Sequence, residues 1–81
     1  MSAPSYFLGG KIMDNAFRVA TARAALARAA WTRGESPHYG EEAVIDLLAD
    51  LKHFCAAAEI DFGTCDRLAE THFDAEFEDA P

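Results

Sequence analysis

Three long stretches of this chain contain almost no glycine or proline. The positions of these two residue types constrain the fold most. Both residues are unfavourable inside helices, so they mark where helices end. We therefore expect helix one over Lys11–Arg33, between Gly10 and Gly34, and the start of helix two at Glu41, after Gly40. Asp61 is a favoured N-cap residue, so we expect helix two to span Glu41–Ala58 and helix three to span Phe62–Phe77, with Gly63 tolerated in its first turn. The segment between helices one and two, residues 34–40, reads as a loop. No strand pattern is evident.

The chain length predicts one domain, 1–81, with residues 1–10 and 78–81 as flexible ends. A chain this short buries only about 60% of its unfolded surface, so its core is modest and self-association would stabilise it. No apolar run approaches the roughly 18 residues that cross a bilayer, and the start lacks the pattern of a signal peptide. We expect no membrane partner and a cytoplasmic location.

Helices two and three each carry one apolar face at helical spacing. The expected buried residues are, in helix two, Val44, Leu47, Leu48, Leu51, Phe54, Cys55 and Ala58, and in helix three, Phe62, Cys65, Leu68, Ala69, His72 and Phe73. The predicted fold class is therefore all-α: a small three-helix domain in which the long helix one packs on an antiparallel hairpin of helices two and three.

A turn centred on Ile60 would set Cys55 opposite Cys65 and Leu48 opposite His72. We expect two reduced cysteines in the core, since neither a zinc site nor a disulfide framework is suggested. His72 is expected to be buried and His53 to lie at the surface.

Helix one has two apolar sides instead of one. The stripe expected to cover the hairpin comprises Met13, Phe17, Ala20, Ala24, Ala27 and Trp31. The other side repeats every seven residues, a spacing typical of a homodimer seam. Its members are Ile12, Val19, Ala22, Leu26 and Ala29. Three interpretations remain open: the hairpin covers both sides, a second copy covers the seam, or a foreign protein docks there.

The charges are sorted along the chain, whose formal net charge is −7. Residues 1–34 carry five basic side chains and one acidic one, whereas residues 35–81 carry two basic and thirteen acidic ones. The arginines at 18, 23, 28 and 33 recur every five residues, so they scatter around helix one and form no stripe that could follow a phosphate backbone. We expect them to pair with the acidic helices, and we expect no direct binding of nucleic acid.

The carboxylates of helices two and three invite a catalytic interpretation. Asp46 with Asp50 and Glu70 with Asp74 resemble the acid cluster with which helical nucleoside triphosphate pyrophosphohydrolases of the MazG type hold magnesium. Their directions diverge, however, and the spacing departs from that family's E-x-x-E and E-x-x-D pairs. Asp50-x-x-His53 lacks the second motif that a di-iron bundle needs. The sequence predicts no catalytic residue, no metal ligand and no cofactor.

Residues 43–76 carry a family resemblance. The strings Ala43-Val44-Ile45-Asp46-Leu47-Leu48-Ala49-Asp50-Leu51-Lys52-His53-Phe54, Asp61-Phe62, and Ala69-Glu70-Thr71-His72-Phe73-Asp74-Ala75-Glu76 are similar to a group of small helical proteins from phages, prophages and bacterial genomes. The resemblance implies a mobile-element setting. Small acidic proteins of that setting are often inhibitors of host defence, including anti-CRISPR proteins.

Charge and resemblance together predict a non-enzymatic inhibitor, acting in the host cytoplasm, that occupies a basic nucleic-acid-binding surface of a host protein or ribonucleoprotein. The expected binding residues are the outward carboxylates Asp46, Asp50, Glu70, Asp74, Glu76, Glu78 and Asp79. One alternative is a structural or regulatory helical homodimer without mimicry of nucleic acid. A third interpretation is a metal-dependent nucleotide pyrophosphohydrolase.

Overall fold

A computed structural model describes residues 15–78, which form three α-helices. The helices are α1 (Asn15–Thr32), α2 (Glu41–Ala58) and α3 (Phe62–Glu78). The all-α three-helix class is confirmed, the bounds of α2 agree with the prediction, and α3 ends one residue later than predicted. The expected first residues of helix one, 11–14, and the ends 1–10 and 79–81 lie outside the described residues.

Both interhelical loops begin with the same backbone turn. After α1, Gly34 adopts a φ of 82° and its N–H donates to the Trp31 carbonyl at 2.9 Å, while the Glu35 N–H donates to the Ala30 carbonyl at 2.9 Å. This is a Schellman ending, in which a left-handed residue lets two N–H groups satisfy the last carbonyls. Glu59 plays the same part after α2, with a φ of 60°. A left-handed glutamate is unusual because its Cβ is crowded there.

The start of α3 is fixed by Asp61, as the sequence predicts. The Cys65 N–H donates to the Asp61 carbonyl at 3.2 Å, and the Thr64 hydroxyl donates to the Asp61 carboxylate at 2.6 Å. Only two residues, Ile60 and Asp61, separate the left-handed Glu59 from α3. This short connection turns the chain back along α2.

Two arginines show how α1 lies on α2. The Arg23 guanidinium stacks over the ring of Tyr39, just before α2, at 4.0 Å from its centroid, and Arg33 donates to Asp50 in the middle of α2 at 2.8 Å. The earlier arginine, Arg23, contacts the earlier residue, Tyr39, and the later arginine, Arg33, contacts the later residue, Asp50. Therefore α1 and α2 run in the same general direction, and the irregular loop 34–40 returns the chain along α1.

On α2, the residues that face α1 and those that face α3 lie on opposite sides. Asp50 reaches α1, whereas Lys52 lies over Phe62 of α3 with its Nζ 5.5 Å from the ring centroid. Two positions along a helix correspond to about 200° of rotation, so these directions differ by about 160°. The helices α1 and α3 thus flank α2, and they do not enclose a common centre.

The core is consequently small. Among the described residues, the only buried apolar side chains are Leu26, Ala30, Ala43 and Cys55. Ala30 and Ala43 are 1% and 2% exposed, and their small size lets the backbones of α1 and α2 approach closely. In contrast, Trp31 is 62% exposed. The expectation for α1 is therefore wrong: the side with Leu26 packs on α2, and the stripe expected to cover the hairpin does not.

The predicted hairpin core is wrong in most of its members. Of the expected α2 face only Cys55 is buried and Leu47 half-buried, and of the expected α3 face Phe62 is half-buried while the rest is exposed. His72 and Cys65 are among the exposed residues, and both cysteines are free thiols. The register differs too, because Leu48 lines a groove with Phe62 and Asp66 and not with His72. The expected α2 face stays exposed because α1 packs on the other side of α2.

The uncovered α2 face becomes the floor of an open channel between α1 and α3. Val44, Leu48 and Leu51 form this floor and are 42–45% exposed. The channel is bridged where Arg18 of α1 meets Glu76 of α3 at 2.7 Å. Residues at helical spacing from this pair share its side of each helix. They are Ala22, Ala25 and Ala29 on α1, and Cys65, Ala69 and His72 on α3. We call the floor and these two walls the apolar trough.

Candidate binding surfaces

Two of the four arginines of helix one hold the helices together through ion pairs, as the sequence predicts. Arg18 pairs with Glu76 at 2.7 Å, which joins α1 to α3, and Arg33 pairs with Asp50 at 2.8 Å, which joins α1 to α2. Arg33 also lies 3.6 Å from Glu35. These pairs are partly exposed, so each contributes about 0–1 kcal/mol, mainly to the placement of α1.

The ion pairs divide the predicted binding carboxylates into two groups. Asp50 and Glu76 face other helices of the same chain and are neutralised there. Asp46, Glu70 and Asp74 are exposed, and within residues 15–78 none of the three takes part in an ion pair. The side chain of Glu78 and the whole of Asp79 lie outside what the structure describes.

Asp46, Glu70 and Asp74 lie on the side of the molecule opposite the apolar trough. Asp46 follows Val44 of the trough floor by two positions, and Glu70 and Asp74 stand two positions before and after His72 of the trough wall. A step of two positions turns a side chain by about 160° to the opposite side of its helix. The acids of α2 and α3 therefore share one surface.

Glu42 belongs to the same surface and was missed by the sequence reasoning. It is exposed and stands two positions before Val44, so it mirrors Asp46 about the trough floor. Its position in the first turn of α2 also gives it a favourable interaction with the helix dipole. The available signal was its four-residue spacing from Asp46, which equals the spacing of Glu70 and Asp74. We call Glu42, Asp46, Glu70 and Asp74 the acidic face.

A shallow groove between α2 and α3 adds an apolar component beside the acidic face. Its volume is about 330 Å³. The groove is lined by Ile45, Leu48, Ala49, Lys52, Phe62 and Asp66. Most of this lining is apolar, and its two charges are of opposite sign. Such a groove can accept an apolar side chain of a protein partner.

The alternative metal site has no donor cluster in the part of the chain that is described. Across residues 15–78, no three His, Cys, Asp or Glu side chains come together in a group that could hold a metal ion. Asp50 is turned toward Arg33, while Asp46 belongs to the acidic face. The four acids of the pyrophosphohydrolase interpretation therefore do not converge on one point.

The residues of the predicted dimer seam lie in different environments. Leu26 is buried inside the chain and Ala29 is half-buried, whereas Val19 and Ala22 are exposed. Ile12 lies outside the described residues. The packing of α1 on α2 therefore buries the end of the predicted seam that contains Leu26.

Comparison with protein-family models, with curated proteins and with solved structures found no match for this chain. Among the described residues, no helix is long and apolar enough to span a membrane. The fold and surfaces define the class of protein: a small three-helix protein with an acidic face on one side and an open apolar trough on the other.

Proposed function

We propose that this protein is a non-enzymatic binding protein whose acidic face docks on a basic, nucleic-acid-binding surface of a partner protein. The observation that carries the proposal is the segregation of charge: Asp46, Glu70 and Asp74 share one exposed surface, whereas Asp50 and Glu76 are neutralised by Arg33 and Arg18. Unneutralised carboxylates on one side create a field that accelerates encounter with a basic groove.

The groove beside the acidic face supports a protein as the partner. An interface between proteins needs an apolar centre as well as a charged rim, and the groove of about 330 Å³ offers that centre next to the carboxylates. A free nucleic acid is disfavoured because its phosphates would be repelled by the same charges. The partner that fits is a protein with basic side chains around an exposed apolar residue.

The resemblance of residues 43–76 to small phage-associated proteins directs the proposal to a host defence complex. In that setting the protein would act as an anti-CRISPR-like inhibitor, occupying the channel where an effector complex holds DNA or RNA. The acids would stand where phosphates stand, so inhibition would be competitive with nucleic acid and would weaken as salt rises.

The test is a gel-shift assay with purified CRISPR effector complexes and their target DNA. The wild-type chain should release DNA from a susceptible complex, and the variant Asp46→Asn/Glu70→Gln/Asp74→Asn should need at least about tenfold more protein at low salt. Asp50 stays unchanged because its ion pair holds α1 in place.

A matched control variant distinguishes an effect of the acidic face on inhibition from an effect of the net charge. Ala20→Lys/Thr21→Lys/Ala24→Lys changes the net charge by the same amount on an exposed part of α1. This control should inhibit nearly as well as the wild type. Equal loss in both triple variants, or unchanged inhibition by the variant lacking the three carboxylates, would contradict a role for the acidic face. Failure of the wild type on every complex in the panel would contradict the inhibitor itself.

A further inference from the structure

Many large apolar side chains of this protein are exposed in the single chain. Thirteen large apolar side chains among the described residues are 38–64% exposed. They expose on the order of 1,000 Å² of apolar surface, since an aromatic side chain carries about 150–250 Å² and an aliphatic one less. Valine, leucine, isoleucine and phenylalanine are among the residues most often buried in a folded domain, so the exposure of thirteen large apolar side chains is unusual. Four of the thirteen, Val44, Leu48, Leu51 and Leu68, lie on the trough floor or next to its α3 wall.

We propose that a second copy of this chain covers the apolar trough, so that the protein is a two-fold dimer in which the two trough floors face each other. In such a dimer the same surface serves both partners. The floor residues Val44, Leu48 and Leu51 have the spacing of four and three positions by which helices interlock side chains across a seam.

The area of the open surface fits this occupant. A stable interface buries about 800 Å² on each partner, of which only a little over half is apolar, and the trough offers such a mixture through its apolar floor, Leu68 and the smaller or polar residues of its two walls. The intrachain core is correspondingly small, because two of its four buried side chains are alanines. Burial of the trough floor would supply the apolar packing that α1 and α3 do not provide.

The distribution of charge permits a second copy at this surface. The chain carries a net charge of −7, so two copies repel each other unless their acids are kept apart. The acidic face lies on the opposite side of α2 and α3, and the charged pair that spans the trough, Arg18 with Glu76, is neutral as a unit. Pairing through the trough therefore brings neutral surfaces together and leaves both acidic faces outward.

The shapes of the two walls are compatible with close approach. On α1 the wall consists of Ala22, Ala25 and Ala29, which are small and leave room for a neighbour's larger side chains. Leu68, next to the α3 wall, is 57% exposed and would fill that space. This interface differs from the predicted seam because it is built on α2, and it shares only Ala22 and Ala29 with that seam.

Sedimentation velocity of the full chain tests the dimer. The wild type should sediment as a species of about twice the chain mass of 8.8 kDa and dissociate on dilution. Leu48→Glu should weaken dimerisation by at least about 100-fold, because it places an unpaired charge in the interface. Trp31→Glu is the matched control: it makes the same kind of change at a more exposed residue about 140° around α1 from Arg18, and it should leave the dimer intact.

Three results would overturn the proposal. The first is a wild type that is folded but monomeric at high protein concentration. The second is a dimer that Trp31→Glu dissociates and Leu48→Glu does not. The third is a dimer that persists in both Leu48→Glu and Leu68→Glu. If Leu48→Glu fails to fold, Leu68→Glu decides, since that exposed position can accept a charge without disturbing the monomer. The acidic-face variant should remain dimeric, so a failure of the inhibitor proposal is distinguishable from a failure of the dimer.

Discussion

Glu59 holds a backbone conformation that its own side chain opposes, and replacing it should stabilise the protein. Its φ of 60° and ψ of 40° place it in the left-handed region, where it ends α2 and starts the turn into α3. A side chain in that region costs about 1–2 kcal/mol. Glycine removes this strain but loses about 0.5–1 kcal/mol through greater freedom of the unfolded chain. The expected net gain for Glu59→Gly is therefore about 0.5–1 kcal/mol.

Urea denaturation followed by circular dichroism measures this gain. A gain of about 1 kcal/mol corresponds to a Tm increase of roughly 4–8 °C in a chain of this size. All variants must be compared at one protein concentration, because self-association would couple stability to concentration. Glu59→Ala keeps the Cβ and removes the charge from the negative end of the α2 dipole, so it isolates the small electrostatic part.

Gly34→Ala provides the opposite perturbation at the corresponding turn. A Cβ at Gly34 would meet nothing within 4 Å, so its effect comes from the φ of 82° alone and should destabilise by about 1 kcal/mol. A loss of stability in Glu59→Gly, or a gain as large in Glu59→Ala as in Glu59→Gly, would refute the assignment of strain to the left-handed backbone.

Two further predictions concern the packing of α1 on α2. A double-mutant cycle of Arg33→Gln and Asp50→Asn should give a coupling free energy of about 0.5–1 kcal/mol by urea denaturation, reduced at high salt because the pair is partly exposed; zero coupling at low salt would contradict the contact. Ala30→Leu should lower the free energy of unfolding by about 1–3 kcal/mol, because Ala30 is 1% exposed, whereas Ala24→Leu on the exposed side should change it by less than about 0.5 kcal/mol; equal effects would contradict the assignment of the packed face.

Local signals predicted the helices well. Gly34 follows α1, Gly40 precedes α2 and Asp61 precedes α3, so the starts of α2 and α3 follow from short-range chemistry. The pairing of helix-one arginines with the acidic helices also followed from the sorted charges, although their partners, Glu76 and Asp50, did not.

The packing of the helices could not be predicted in the same way. A helical repeat shows which residues share a face, but it does not show which neighbour covers that face. Here the loop 34–40 returns along α1, so α1 and α2 run in the same general direction and meet through Ala30 and Ala43 on the side away from α3. The larger residues Val44 and Leu51, which the sequence assigned to a core, stay open because neither α1 nor α3, as described over residues 15–78, covers them.

The reactivity of the Cys65 thiol as a function of protein concentration tests most directly whether the trough is covered by a second copy. Cys65 is exposed on the trough wall in the single chain, while Cys55 is buried and serves as an internal reference. Covering by a second copy predicts that the reaction of Cys65 with a thiol reagent slows as protein concentration rises, and that Leu48→Glu restores the fast rate. A fast rate at every concentration would contradict the dimer, and so would a slow rate that does not depend on concentration and persists in Leu48→Glu.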